Sequence, residues 1–207
     1  MSQSSQIGID RLDGTAAASA EDAFRQVYAE AFAEPPYDET EADVAAAFRR
    51  FRSQTRKITF RAVLATADDG RPVGMAYGHH LPPEAVWWGQ LTEPVSEEMR
   101  REDGRRTFGL MELAVRAGWR RSGVAHRLHE ALLTTFEAER ILLNVHPDNR
   151  AAVAAYRAWG YRKVGDALPW PGAPLHDVML LALDARRTAK TGPPPPGAMR
   201  GGPPAGT

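Results

Sequence analysis

The sequence predicts an α/β fold, and three observations predict it. Short runs of alternating apolar residues interleave with amphipathic helical runs along the chain instead of segregating into blocks. One strand run stops at Val115 and passes through a small-residue loop into a helix near Ala125. The length of 207 residues, 43% of them hydrophobic, suffices for one sizeable core. A single domain is therefore expected over residues 1–184. From residue 185 onward proline and glycine dominate and large apolar side chains almost vanish. Such a segment cannot offset its ordering entropy by burial, so a disordered tail is expected over 185–207.

Ile7 to Leu12 reads as a short first strand, and Gly14 to Ala20 as a polar, alanine-rich connection. Glu21 to Phe32 is helical, with Phe24, Val27, Tyr28 and Ala31 on one face, and Pro35 and Pro36 stop it. A second helix is expected over Glu39 to Arg52, carrying Val44, Ala47, Phe48 and Phe51 inward and a solvated arginine face outward. Strands follow at Thr59 to Ala67 and Val73 to His80, joined by the turn residues Asp68-Asp69-Gly70. Leu81 to Arg106 is irregular, with a short helix around Pro94 to Glu102. Next come a strand over Phe108 to Val115, a helix over Ser122 to Glu137 and a strand over Ile141 to Val145. A helix over Asn149 to Trp159 would be capped by Asp148 and ended by Gly160. Tyr161 to Val164 and Asp177 to Leu183 complete the strands.

Bulk properties narrow the functional class. Lys+Arg and Asp+Glu number 26 each, so no overall field favours nucleic acid or an anionic membrane. Without cysteine there is no disulfide, thiolate metal site or cysteine nucleophile. No metal site is expected either, since the adjacent His79 and His80 point to opposite faces of a strand and lack further ligands. The start Met1-Ser-Gln-Ser-Ser has no basic-then-apolar signal, and no apolar run approaches a membrane span. A cytoplasmic protein is expected.

Arg120-x-x-Gly123-x-Ala125 stands where a helix is about to begin. The first N–H groups of a helix have no internal partner, and the macrodipole adds partial positive charge there. Small residues let a phosphate approach, and Arg120 and Arg121 bring full charge, so the loop reads as a pyrophosphate cradle. No Gly-Lys-Ser/Thr run exists for a P-loop, and the three spaced glycines of a dinucleotide fingerprint are absent. An ordinary strand-to-helix connection with exposed arginines would use the same residues.

A second motif follows after the next strand, in Asn149-x-x-Ala152-x-x-x-Tyr156 and Trp159-Gly160-Tyr161. With both motifs in this order, the chain resembles the GNAT superfamily of acyl-CoA-dependent N-acetyltransferases, firmly from about Gly109 to Gly165. The first matches the family's Arg/Gln-x-x-Gly-x-Gly/Ala loop and the second its Asn-x-x-Ala-x-x-x-Tyr-x-x-x-Gly-Phe/Tyr segment. The resemblance implies a central, mostly antiparallel mixed sheet, splayed between its fourth and fifth strands with helices on both faces. It also implies acetyl-CoA as co-substrate. The donor would lie along Leu113, Ala114 and Val115, the loop Arg120, Arg121, Ser122, Gly123, Val124, Ala125 and His126, and Asn149.

Acetyl transfer to an amine needs a neutral amine, a hydrogen-bond donor for the thioester oxygen and a proton for the leaving thiolate. Tyr156 occupies the position of the family's tyrosine and is the candidate acid; its alternative is a core tyrosine on the stripe Ala152, Ala155, Tyr156, Trp159. Glu112 is the candidate base, its neighbours Met111 and Leu113 alternating to the opposite face. A strand carboxylate paired with an arginine is the alternative, and His79 or His80 are runner-up bases. Asn144 stands where relatives that acetylate protein N-termini carry Glu, which weakens a protein acceptor. The oxyanion donor is expected to be a main-chain N–H near Leu113.

For the acceptor, Tyr37, Trp87 and Trp88 are the candidate contacts, with Asp38 and Glu84 as nearby acids suited to a cationic amine. Trp87 and Trp88 would serve equally as core. The expected partner is a small-molecule amine, with a peptide amine or a non-catalytic acyl-CoA-binding module as alternatives. A homodimer stays open.

Overall fold

In a computed structural model, residues 6–170 and 172–183 are described; the expected tail lies outside them. The chain begins with strand β1 (Ile7–Leu12), then helices α1 (Gly14–Ser19), α2 (Glu21–Phe32) and α3 (Glu41–Gln54). Strands β2 (Arg61–Ala67) and β3 (Pro72–His80) follow, then a 3-10 turn at Val86–Gln90 and the short helix α4 (Glu97–Arg100). The second half holds β4 (Thr107–Val115), α5 (Val124–Leu133), β5 (Arg140–Val145), α6 (Arg150–Ala158), β6 (Arg162–Ala167) and β7 (His176–Ala182).

Three expectations about elements are corrected. The alanine-rich connection is the helix α1, because Asp13 accepts a hydrogen bond from the Ala16 N–H at 2.9 Å and alanine has the highest intrinsic helix propensity. Helix α5 spans less than Ser122 to Glu137. It starts after Gly123, whose left-handed φ of 82° cannot belong to the helix, and it stops at Leu133. Asn149, not Asp148, caps α6, its Oδ1 accepting from the Ala152 N–H at 3.1 Å. Helix α3 is closed by a capping box between Thr40 and Asp43.

The seven strands form one mixed sheet in the order β1-β2-β3-β4-β5-β7-β6. Only β4 and β5 run parallel, and they pair only from Thr107–Arg140 to Gly109–Leu142. Beyond that point β3 holds β4 as far as Val115, while β7 holds β5 as far as Val145. Each strand follows its own neighbour, so the two diverge into a V. Helices α1, α2 and α3 pack one face around Phe24, Phe48, Phe51, Met75 and Tyr77. Helices α5 and α6 pack the other around Val63, Phe108, Leu110, Leu128 and Tyr156. The expected GNAT-type architecture is what the chain adopts.

The closed end of the V is held by a buried polar cluster. Glu102 Oε1 accepts from the Trp88 indole N–H (2.8 Å), the Thr107 hydroxyl (2.8 Å) and Arg140 Nη2 (3.0 Å). Arg140 also donates to Thr107 Oγ1 and the Met99 carbonyl. Thr107 and Arg140 are the first parallel pair, so this cluster sits where the pairing begins, at the end away from the opening.

Candidate active site

The loop between β4 and α5 leaves a run of main-chain N–H groups open. Among the described residues, no protein acceptor meets the N–H groups of Arg121 to His126. Arg121 and Gly123 both have positive φ, 60° and 82°, which curls the chain so that successive N–H groups line one concave surface. A side chain at Gly123 would meet open space, so the conformation and not a protein neighbour calls for glycine there. Ser122 donates to the Trp119 carbonyl at 2.6 Å and tightens the turn. Val124 is buried, while the exposed His126 lies 5.5 Å from the Trp159 ring. Arg121 is exposed, and its side chain makes no hydrogen bond or ion pair among the described residues. Arg120 points the other way: its guanidinium donates to the Val115 carbonyl, Glu34 and the Ala31 carbonyl at the end of α2.

From Leu110 to Val115 the edge of β4 that faces β5 has no strand partner, leaving main-chain groups for an extended ligand. Leu113 is partly exposed there and Ala114 and Val115 are buried. The pairing with β3 jumps from Tyr77–Glu112 to Gly78–Leu110, so Met111 is a bulged extra residue. A side chain on Gly78 would collide with the Gly109 carbonyl, and its absence lets the strands close at this bulge. The expected strict alternation about Glu112 is thereby corrected. Met111 packs with the α1–α3 face, the face that Glu112 shares with its register partner Tyr77.

Glu112 forms no hydrogen bond or ion pair among the described residues, so the arginine-paired alternative is not what the fold builds. Burial, reinforced by the Glu39 carboxylate and only partly offset by Arg50, pushes its pKa up to about 8. Glu39 is itself raised by burial, and the Tyr28 hydroxyl donates to it at 2.9 Å. The sequence reading missed Glu39; nothing in the local pattern distinguishes it from other loop acids.

Helix α6 brings Tyr156 to the opposite bank. Its ring is buried against Trp159 (5.6 Å) and Tyr161 (5.3 Å), and its hydroxyl has no hydrogen-bond partner among the described residues. Burial raises its pKa, and the charges of Tyr37 and Glu112 add to the effect. Packing and an available hydroxyl coexist. Asn149 donates from Nδ2 to the Tyr37 hydroxyl at 3.3 Å while capping α6.

Tyr37 therefore spans the V from the α2–α3 loop, packing on Phe32 at 4.8 Å and His146 at 6.1 Å. Beyond His146 lie His176 and then Trp170, rings the sequence reading did not single out, spaced 5.4 and 5.7 Å. Trp87 donates its indole N–H to Asn144 Oδ1 at 3.0 Å on β5, inside the splay. Trp88 is not brought to that group; it points into the closed-end cluster. Asp38 and Glu84 are exposed. His80 packs perpendicular to the stacked pair Phe108 and Phe136 on the α5 face, with Nε2 2.8 Å from the Glu137 carbonyl. His79 is buried, and burial lowers its pKa. Among the described residues no group of three or more His, Cys, Asp or Glu residues is placed to hold a metal, and no helix is long and apolar enough to cross a membrane.

A splayed sheet with an anion loop at the mouth is matched by the sequence profile of the Acetyltransferase (GNAT) family over residues 21–161. The chain belongs to that family. It is a GNAT acetyltransferase, an enzyme that uses acetyl-CoA. No curated protein matches the sequence. Among solved structures, the fold is similar to a ribosomal-protein-alanine N-acetyltransferase from Brucella melitensis, with TM-score 0.59, 17% identity and 85% of this chain against 99% of that one. It is similar also to the PaiA N-acetyltransferase of Thermoplasma acidophilum in complex with coenzyme A (TM-score 0.56, 12% identity, 86% and 99% covered). A third is aminoglycoside N-acetyltransferase AAC(6')-Iy in complex with CoA (TM-score 0.53, 15% identity, 82% and 97% covered). At these identities the likeness is one of fold alone.

Proposed function

We propose that this GNAT enzyme acetylates a primary amine of a small molecule by direct attack on the thioester, with Glu112 as base and Tyr156 as acid. The observation that supports the reading is that Glu112, on the stretch of β4 that has left β5, and Tyr156, on the helix that follows β5, border one splay. Glu112 takes a proton from the acceptor ammonium, and the freed nitrogen lone pair forms the new C–N bond. A main-chain N–H near Leu113, next to the bulge on β4, meets the charge that builds on the carbonyl oxygen. As the C–S bond breaks, the Tyr156 hydroxyl delivers its proton to sulfur, and the second proton lost by the nitrogen as the neutral amide forms restores the phenol. The unpartnered N–H groups from Arg121 to His126, with the Arg121 side chain, hold the pyrophosphate. Val124 and Ala125 present no bulk against it. Leu113 and Val115 pair with the pantetheine amides along the open edge of β4.

Tyr37 and Trp87 bound the acceptor side, and Tyr37 bridging to Asn149 limits its size, which favours a small amine. Glu39 and Glu112 match a cationic one. A peptide acceptor is the second reading, favoured by Leu168, Trp170 and Leu175, which leave their apolar side chains exposed around the β6–β7 loop. The test mixes acetyl-CoA with spermidine, tyramine, lysine methyl ester and short peptides and follows released thiol. Turnover of free amines supports the first reading and turnover of peptides alone the second. No thiol release with any amine would sink both.

A further inference from the structure

We propose that Arg120 is a positioning residue for the acceptor side of the site and not a ligand of the pyrophosphate. What counts as the acceptor side rests on the function proposed above. The guanidinium is a rigid fork of donors, and all three of its nitrogens are engaged. Nε donates to the Val115 carbonyl at 3.1 Å, Nη1 to Glu34 Oε2 at 2.6 Å and Nη2 to the Ala31 carbonyl at 3.2 Å. The last contact has a cause in the sequence. Ala31 would accept from the residue four positions on, which is Pro35 and has no N–H. Arg120 supplies the missing donor.

A second arginine works beside it. Arg116 donates to Glu30 at 2.6 Å and to the Pro72 carbonyl at 3.1 Å, so two side chains fasten the end of α2 to the end of β4. From there the Glu34 carbonyl accepts from the N–H groups of both Tyr37 and Asp38. That turn presents Tyr37, whose hydroxyl reaches Asn149 on the far bank, and Glu39, which Tyr28 holds. The α2–α3 loop is thus tethered on both sides of the V, and Arg120 is its anchor on the β4 bank. With a carboxylate already on Arg120, its charge toward an anion is largely neutralised. Arg121, next in sequence and without such a partner among the described residues, keeps its charge for the pyrophosphate.

The Arg120–Glu34 pair is half-exposed, 40% and 53% for the two side chains, and pairs of that kind contribute little to global stability. Loss of Arg120 is therefore felt in the loop. The test compares full-length Arg120→Ala, Arg120→Lys, Glu34→Gln and Arg121→Ala with wild type by amide hydrogen exchange, melting and acetyl-CoA calorimetry. In Arg120→Ala, exchange at Tyr37 to Glu39 should rise on the order of tenfold while the rest of the sheet and Tm stay as they were. Its acetyl-CoA Kd should move by less than about twofold, whereas Arg121→Ala should weaken binding more. Glu34→Gln should loosen the same loop to a lesser degree, and Arg120→Lys should restore part of the protection. For the amine turned over fastest in the panel above, Arg120→Ala should raise KM and hold kcat. A Kd weakened about tenfold or more with an unchanged loop would make Arg120 a phosphate ligand and overturn the proposal. Exchange raised across the whole sheet with a lower Tm would make it a general stabiliser and overturn it equally. The exchange readout needs no acceptor, so a failed amine panel would count against the proposed function and leave this test standing.

Discussion

In the proposed mechanism Tyr156 and Glu112 carry the chemistry, and each admits a variant that keeps shape and removes one function. Tyr156→Phe retains the ring packed on Trp159 and Tyr161 and deletes only the hydroxyl. General acid catalysis is worth roughly 10²–10⁴-fold, so kcat should fall by that order while calorimetry finds acetyl-CoA bound as in wild type. An unchanged kcat would remove Tyr156 as the acid. For Glu112, the folded pKa of about 8 lies above the ordinary carboxyl value of 4.5, so the carboxyl is protonated at neutral pH and gains its basic form as pH rises through 8. The rate should climb through an inflection near that value, and Glu112→Gln should flatten it, with the largest loss on the alkaline side. The same shift has a stability sign. A carboxyl raised by burial favours folding below the unfolded pKa, and that contribution fades as pH rises toward the folded pKa. Glu112→Gln should therefore weaken the pH dependence of Tm between about 4.5 and 8, as a pH series of thermal melts would show.

At the scale of elements, the loop opening α5 governs donor binding in the proposed mechanism. Gly123→Asp forces a side chain into the left-handed region and sets a carboxylate against the pyrophosphate, and like charges brought together cost several kcal/mol. The acetyl-CoA Kd should rise by about tenfold or more, with Gly123→Ala showing the smaller, purely conformational part. Calorimetry on the two variants separates them. Elements with strong periodicity were legible: α2, α3 and the strands fall within a few residues of their expected bounds. Helix α1 was not, because Gly14 to Ser19 has no apolar stripe and depends on the Asp13 cap. The bulge at Met111 was equally hidden, since it arises from the register against β3 and from Gly78 lying under the Gly109 carbonyl.

At the scale of the molecule, the V depends on a closed end that stays closed. Glu102 and Arg140 are almost wholly buried, 1% and 7% exposed at the side chain, and hydrogen-bonded through Thr107 and Trp88. Arg140→Leu would leave the Glu102 carboxylate buried without its cation, a change that typically costs about 3–5 kcal/mol. Urea unfolding should show a loss of that size, and a loss under about 1 kcal/mol would mean the cluster does not hold the splay. The sequence by itself determined the family, the loop that opens α5 and the tyrosine of α6, because periodicity and motif spacing are local properties that survive without a fold. Only the tertiary structure decided where Arg120 and Trp88 point, that the charge of Glu39 acts on Glu112, and that Tyr37 reaches Asn149. Those contacts join residues far apart in the chain, and their geometry exists only once β4 and β5 have parted.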